Sequence, residues 1–239
     1  MIKTDRLILR KWEETDAENL YEYAKDPDVG PIAGWPPHQS VEDSLYVIKT
    51  VFSREECYCI CEKDNNKAIG SIELKLNGDT DMTEQDDECE LGYWLGKPYW
   101  GKGYMLEAAR ALLARAFNEL NMKTVWCGYY DGNIKSKRVQ EKLGFEYHHT
   151  CNNVEVPLMQ EIRVGHTNYM TKDMFNKLNN KGEIMSEKKE LVKDELKDVN
   201  GGNSYNVGTV SPEEELGGKI YVNPTDEHII PNVGLKEDK

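Results

Sequence analysis

The sequence predicts an α/β (α+β) domain, a mixed sheet with helices on both faces, followed by a largely irregular tail. Three observations predict it. Short apolar, strand-like runs are interrupted by amphipathic helical stretches as far as about residue 178. The first half is rich in hairpin signals, whereas the second half reads as strand, helix, strand, which argues for a mixed sheet. Beyond residue 180 the apolar periodicity gives way to a polar segment rich in Gly, Asn and Glu.

Leu7 to Trp12 is a short apolar run suited to an opening strand, and Thr15-Asp16 begins a helix with Leu20, Tyr23 and Ala24 on its inner side. Pro27, Gly30, Pro31, Gly34 and Pro36-Pro37 then mark an irregular segment. Trp35 and His38 within it are candidates for lining a substrate pocket, with a packed loop anchor as the equal alternative for Trp35. Ser40 and Asp43 resemble a capping box that starts a helix through Leu45, Ile48 and Phe52. Two strands, Cys57 to Glu62 and Ala68 to Leu76, are joined through Asn65-Asn66 as a hairpin. The acidic stretch from Asp79 to Asp87 reads as a solvated hairpin loop, or else as an attractor for a cationic substrate.

Glu88 to Leu95 is expected to be the central strand. It feeds the loop Gly96-Lys97-Pro98-Tyr99-Trp100-Gly101-Lys102-Gly103 and a helix from about Tyr104 to Leu120 with no internal Gly or Pro. Glycines before a helix N-terminus leave backbone N–H groups and the positive end of the helix dipole aimed at the loop, which suits a phosphate, with a tight strand-to-helix turn as the plain alternative. Lys123 to Tyr130 reads as a fully buried strand. Asp131-Gly132-Asn133 turns into a helix closed by Gly144, and two last strands cover Phe145 to Cys151 and about Gln160 to Thr171.

The 239 residues carry a net charge of −13, spread over the whole chain: −8 up to Asn180 and −5 beyond it. A nucleic-acid partner is disfavoured, because phosphate contacts need clustered positive charge, and an amine-bearing or basic substrate fits better. No run approaches the roughly 20 apolar residues that span a bilayer, and the first residues are polar, so a cytoplasmic enzyme without membrane insertion is expected. Cys57, Cys59 and Cys61 alternate along a strand and share a face. Same-face neighbours do not by themselves surround an ion tetrahedrally, so they are read as small buried hydrophobes, with no metal and no disulfide framework expected.

Several stretches, in order, carry a family resemblance: Arg6-Leu7-Ile8-Leu9-Arg10, Trp35-Pro36-Pro37-His38, Glu90-Leu91-Gly92-Tyr93-Trp94-Leu95, Tyr99 to Tyr104 with Glu107-Ala108, and Asn133-Ile134-Lys135-Ser136 through Glu141-Lys142-Leu143-Gly144-Phe145. Together they resemble the GNAT acyltransferases, in the branch that holds the ribosomal-protein N-terminal acetyltransferases. The resemblance runs from about Ile2 to Phe175 and implies a mostly antiparallel central sheet flanked by helices. It also implies transfer of an acyl group, usually acetyl, from acetyl-CoA or a longer acyl-CoA to an amine. Trp100, Gly101, Lys102, Gly103 and Tyr104 are then the pyrophosphate cradle, and Asn133 holds the cofactor arm. A splay between the central strand and the strand from Thr124 to Tyr130 admits that arm, and a backbone amide of the central strand polarises the thioester carbonyl.

An acceptor amine must lose a proton. Glu90 stands where relatives often have a carboxylate and is the candidate base, with an exposed structural carboxylate as the alternative reading and Glu88 as its understudy on the same strand face. For the departing thiolate many relatives use a Tyr seven residues after the motif Asn, but Gln140 occupies that position. In the matching branch the Ser three residues after the Asn takes the role, which points to Ser136; the alternative is a hydroxyl that merely caps the helix.

Leu191 to Gly202 resembles the double-glycine leader of exported bacterial peptides. Leu191, Leu196 and Val199 stand twelve, seven and four residues before a cleavage point, counting Gly202 as one, with Glu195 beside them. The predicted organisation is an acyltransferase domain over 1–178, a linker over 179–184, a leader-like helix over 185–202 cut after Gly201-Gly202, and a flexible, peptide-like tail over 203–239. A disordered acidic tail is the plain alternative. Cargo amines are Lys219, Lys236 and Lys239, and the cargo holds no Cys. A fused precursor implies a peptide or protein amine as acceptor, the chain's own tail included, and a peptidase-containing exporter as partner. A small amine or antibiotic as acceptor, or a non-catalytic CoA-binding module, remains open.

Overall fold

The computed structural model describes residues 1–180. The leader-like segment, its Gly201-Gly202 pair and the tail lie outside the described residues. Eight strands form one sheet: β1 (Ile2–Lys3), β2 (Leu7–Arg10), β3 (Cys57–Glu62), β4 (Ala68–Lys75), β5 (Glu88–Leu95), β6 (Thr124–Tyr130), β7 (Glu146–Val156) and β8 (Glu161–Thr171). Their order is β1-β2-β3-β4-β5-β6-β8-β7. Each neighbouring pair is antiparallel except β5 and β6, which run parallel. This is the mixed, mostly antiparallel sheet that the sequence predicts.

Around it lie α1 (Ala17–Ala24), α2 (Gly30–Ala33), α3 (Val41–Thr50), α4 (Tyr104–Ala114), α5 (Ile134–Leu143) and a last helix over 172–180. One face of the sheet packs Leu9, Ile60, Ile72 and Leu91 against Ala108, Leu112 and Phe117 of the α4 segment. The other packs Trp12, Cys57, Cys59 and Cys61 against Leu20 and Ala24 of α1 and Ile48 of α3. Each fully buried Leu or Ile contributes about 1.5–3 kcal/mol, so these two layers dominate the stability of the domain. The three cysteines are fully buried, as small hydrophobes are, and burial pushes the Cys57 thiol up to about 12.

The element boundaries follow local chemistry. Ser40 caps α3, its Oγ accepting from the Asp43 N–H at 3.2 Å. Asn66 takes the left-handed turn position of the β3–β4 hairpin at φ 56°. Gly144 ends α5 at φ 91°. Four expectations need correction. The strand read as fully buried, β6, buries only the alternate residues Val125 and Cys127. The segment from Pro27 to Pro37 is not irregular throughout, because Pro31 fits the first turn of α2 and Gly34, at φ 95°, ends it. The helix expected to reach Leu120 is α-helical only to Ala114 and continues as a π-helical turn over Arg115–Glu119. The stretch from Asp79 to Asp87 exposes Asp81, Glu84 and Asp86 but is not simply solvated, since Thr80, Met82 and Thr83 fold inward onto the sheet.

Candidate active site

The glycine loop leads directly into α4. Gly101 and Gly103 have φ 75° and 79°, a left-handed backbone that side-chain-bearing residues resist. A Cβ at Gly101 would meet no protein atom within 4 Å, so within the protein the demand for glycine is conformational and not steric. Among the described residues no hydrogen bond engages the N–H of Gly101, Lys102 or Gly103, which leaves three donors at the positive end of the 11-residue α4. The neighbours brace this loop. Trp100 Nε1 donates to the Leu95 carbonyl at 2.7 Å, and Lys135 Nζ lies 4.3 Å from the centre of the Trp100 ring. Arg6 donates to the Lys102 carbonyl at 2.9 Å, pairs with Glu107 at 2.7 Å, and lies over the Tyr104 ring at 4.6 Å.

Beside the loop, β5 and β6 pair over only three residues, Glu88 with Thr124, Cys89 with Val125 and Glu90 with Trp126. Past that point the Cys127 thiol, not a ladder amide, reaches the Leu91 carbonyl at 3.2 Å. Backbone groups alternate sides along a strand. Gly96 N–H donates to Ile69 on the β4 side. Leu91 accepts on the β6 side, so the Tyr93 N–H faces the opening. The sequence thus terminates one ladder early and leaves a backbone donor in the gap.

On the α4 and α5 side of this gap, Asn133 is the N-cap of α5, its Oδ1 accepting from the Ser136 N–H at 3.1 Å, while its Nδ2 approaches the Ile32 carbonyl at 3.5 Å. The cap role therefore belongs to Asn133, and the Ser136 hydroxyl serves otherwise. Its Oγ lies 3.0 Å from the Tyr93 hydroxyl and 3.1 Å from Gln140 Nε2. Gln140 is fully buried, donating also to the Gly128 carbonyl at 3.1 Å and accepting from Asn168 at 2.7 Å. Burial, with Cys127 adjacent, raises the Tyr93 pKa well above the ordinary phenol value.

The opposite face of the same strands is carboxylate-rich. Glu90 is buried, bonded to Lys75 at 2.8 Å and to the Thr80 hydroxyl at 2.6 Å. Glu88 accepts from Thr83 and from Trp126 Nε1, both at 2.7 Å. Glu73 lies in register with Gly92, where a Cβ would come within 3.2 Å of its Oε1, so the glycine makes room for this carboxylate. Its Oε2 has one long contact, Arg54 at 3.4 Å, and burial raises its pKa against the opposing pull of Lys75 and Arg54. Burial would lower Lys75, but Glu90 and Glu73 outweigh it and hold the ammonium charged.

Trp35 stands on this carboxylate face, edge-on to Trp94 with ring centres 5.8 Å apart, and the preceding Gly34 packs against the Tyr130 ring. Arg163 donates to the Pro31 carbonyl at 2.6 Å, so the α2 segment bridges from β5 to the β6–β8 side across the opened gap. His38 is turned away to Ser44, Nδ1 to Oγ 2.8 Å, and burial lowers its pKa. Of the sequence candidates, the fold groups Gly101 to Gly103, Asn133 and Ser136 around one opening, and places Glu90 and Trp35 on its far face. Tyr93, Gln140 as a hydrogen-bond partner, Glu73 and Lys75 were missed. The alternation that put Glu88 and Glu90 on one face of β5 finds Glu73 and Lys75 once the β4–β5 register is known.

The free amides of the glycine loop and the unpaired gap fit the pyrophosphate and arm of coenzyme A, with Gly101, Lys102, Gly103 and the Tyr93 N–H as the holding groups. Among the described residues no helix is long and apolar enough to cross a membrane. Residues 6–146 match the model of the acetyltransferase (GNAT) domain family. The chain is 27% identical over 148 residues to the N-acetyltransferase p20 of Bacillus licheniformis, itself uncharacterized, covering 60% of this chain and 80% of that one. YnaD of Bacillus subtilis, also an uncharacterized N-acetyltransferase, is 29% identical over 144 residues, 60% of this chain and 81% of its own. Two solved structures share the fold. A GNAT-family acetyltransferase from Bacillus anthracis superposes with a TM-score of 0.63 at 24% identity, covering 72% of this chain and 98% of that one. The ribosomal-protein-S5-alanine acetyltransferase from Vibrio fischeri gives 0.55 at 19%, covering 72% and 96%. With the family model matching more than half of its length, this chain belongs to the GNAT acetyltransferases.

Proposed function

We propose that the domain transfers an acyl group, acetyl in the first place, from acyl-CoA to a primary amine of a peptide or protein, and that the chain's own residues 203–239 are an acceptor. The observation that carries the amine is the carboxylate face of Glu73, Glu88 and Glu90 opposite the glycine loop and Ser136. Such a face attracts an ammonium and repels an anionic acceptor. The peptide is argued from the sequence beyond residue 185, whose leader-like spacing ends at Gly201-Gly202 and whose cargo offers Lys219, Lys236 and Lys239. A tethered acceptor has an effective concentration of roughly millimolar without any new contact. Removal of the leader would fall to a peptidase-containing exporter.

The donor supplies a thioester-linked acetyl group; the residues of this chain bind and orient it and manage the protons. Gly101, Lys102 and Gly103 would hold phosphate, and the Tyr93 amide would serve as an oxyanion donor to the thioester carbonyl. A lysine ammonium, near pKa ~10.4 in water, must lose a proton before it attacks. Glu90 is the sequence candidate, but both of its oxygens are already engaged, one by Lys75 and the other by Thr80. Glu73, raised by burial and with its Oε1 turned over Gly92, is the better acceptor of that proton, while Glu90 keeps Lys75 and the loop at Thr80 in place. Ser136 offers a hydrogen bond to the sulfur on the other side of the sheet. In the balance, one amine proton leaves through Glu73 to solvent, the new N–C bond replaces the C–S bond, and the second amine proton ends on the thiol.

Thiol release from acetyl-CoA tests this reading, with a synthetic peptide of residues 203–239 set against a panel of small amines and aminoglycosides. The proposal expects turnover with the peptide to exceed that with the small amines. Turnover confined to a small amine would replace the peptide by that acceptor, and cofactor binding without turnover on any of them would make this a binding module.

A further inference from the structure

Hydrogen-bond accounting around Ser136 goes beyond its assignment as the partner of the leaving sulfur, and rests on that assignment. A serine hydroxyl has two lone pairs and one proton, and its value to a developing thiolate lies in where that proton points. Gln140 settles one lone pair. Its Oε1 accepts from Asn168 Nδ2 at 2.7 Å, and its Nε2 faces the Gly128 carbonyl, which can only accept, at 3.1 Å. The amide is therefore oriented from both ends, and its second N–H, 3.1 Å from Ser136 Oγ, can only donate. Tyr93 holds the other lone pair. Its hydroxyl is 3.0 Å from Ser136 Oγ and 3.3 Å from the Ser136 carbonyl oxygen, so its single proton has the shorter path to Oγ. Burial keeps this phenol protonated throughout the neutral range, hence a standing donor.

We propose that Tyr93 and Gln140 are positioning residues that both donate to Ser136 Oγ, fill its lone pairs, and so leave its one proton free to be donated in a hydrogen bond to the sulfur that departs from the thioester. The alternative arrangement has Tyr93 donating to the Ser136 carbonyl while Ser136 spends its proton on the Tyr93 oxygen. The two differ in sign. In the proposed arrangement Tyr93→Phe removes a constraint that directs the serine proton toward sulfur, and the sulfur contact weakens. In the alternative, the same change releases the serine proton, and the sulfur contact strengthens. Both side chains reach Ser136, on the face of the sheet opposite Glu90 and Lys75, so the effect is expected on the donor side.

The experiment compares the dissociation constants of CoA and desulfo-CoA, at a pH where the CoA thiol is ionised, for the full chain and for Ser136→Ala, Tyr93→Phe and Gln140→Leu. Thermal unfolding checks that each variant is folded, and Tyr93→Phe, which keeps its ring, carries the decision if Gln140→Leu is not. The parent is expected to prefer CoA, Ser136→Ala to lose that preference, and Tyr93→Phe and Gln140→Leu each to reduce it by about threefold to tenfold, the size of one hydrogen bond. The turnover number with acetyl-CoA should fall in parallel while its KM stays nearly constant. An unchanged or increased CoA preference in Tyr93→Phe overturns the proposal. An unchanged preference in Ser136→Ala overturns the Ser136 assignment instead, and the acceptor identity enters neither comparison.

Discussion

The Glu90 carboxylate is shared between Lys75, 2.8 Å away on the neighbouring strand, and the hydroxyl of Thr80, 2.6 Å away in the loop that folds over the sheet. A carboxylate with both oxygens engaged in this way organises its surroundings. Glu90→Gln should therefore destabilise the domain by about 2 kcal/mol, the size of a hydrogen bond to a charged group. It should also leave a pH–rate profile with an unshifted lower limb. Urea unfolding and kcat/KM against pH, with the peptide of residues 203–239 or a small amine that turns over, measure both. A profile that loses its acidic limb would return the base role to Glu90.

Glu73 should behave in the opposite way. Its pKa is raised in the folded protein by burial, so the folded state binds its proton more tightly than the unfolded state does. The stability it contributes is full below the ordinary carboxylate value and is lost as the pH rises through the raised one. Glu73→Gln is expected to raise the melting temperature at pH 8 relative to the parent, with the difference vanishing near pH 4, while kcat falls by at least tenfold. A melting temperature lowered at pH 8 would contradict the burial argument.

How much of this was legible beforehand depends on whether a feature is local. The helix caps, the hairpin at Asn66 and the glycine loop before α4 are written in short stretches, and the loop at Gly101 to Gly103 was recognisable because glycine there answers a left-handed backbone. The register of β4 against β5 is not local. It alone places Glu73 and Lys75 beside Gly92 and Glu90, so the carboxylate face was half-seen. The same limit hid Tyr93, whose hydroxyl meets Ser136 across 43 positions of sequence. The acidic loop misled because charge count dominated the reading, whereas Thr80 and Thr83 decide its path.

Gly101→Ala tests the loop. A Cβ meets no protein atom there, so the cost is the left-handed φ of 75°, about 1–2 kcal/mol for an L-residue. Because α4 itself is untouched, the strain should appear as loop rearrangement. Calorimetric titration is expected to show CoA binding weakened about tenfold with little change in unfolding.

The Arg10–Asp16 pair tests the other side of the sheet. Both residues are buried, and two parallel hydrogen bonds of 2.7 and 2.8 Å join them. Asp16→Ala leaves a guanidinium without its partner and should cost about 3–5 kcal/mol by urea unfolding, with CoA affinity unchanged in the folded fraction.

The proposed function requires that an amine is acetylated and that the chain itself carries that amine. Intact-protein mass spectrometry after incubation with acetyl-CoA measures it, with Ser136→Ala as the control and peptide mapping of the product. The expected result is one or more acetyl groups within residues 203–239, on Lys219, Lys236 or Lys239, gained more slowly by Ser136→Ala. Acetyl-CoA turned over on another amine while residues 203–239 stay unmodified would contradict it.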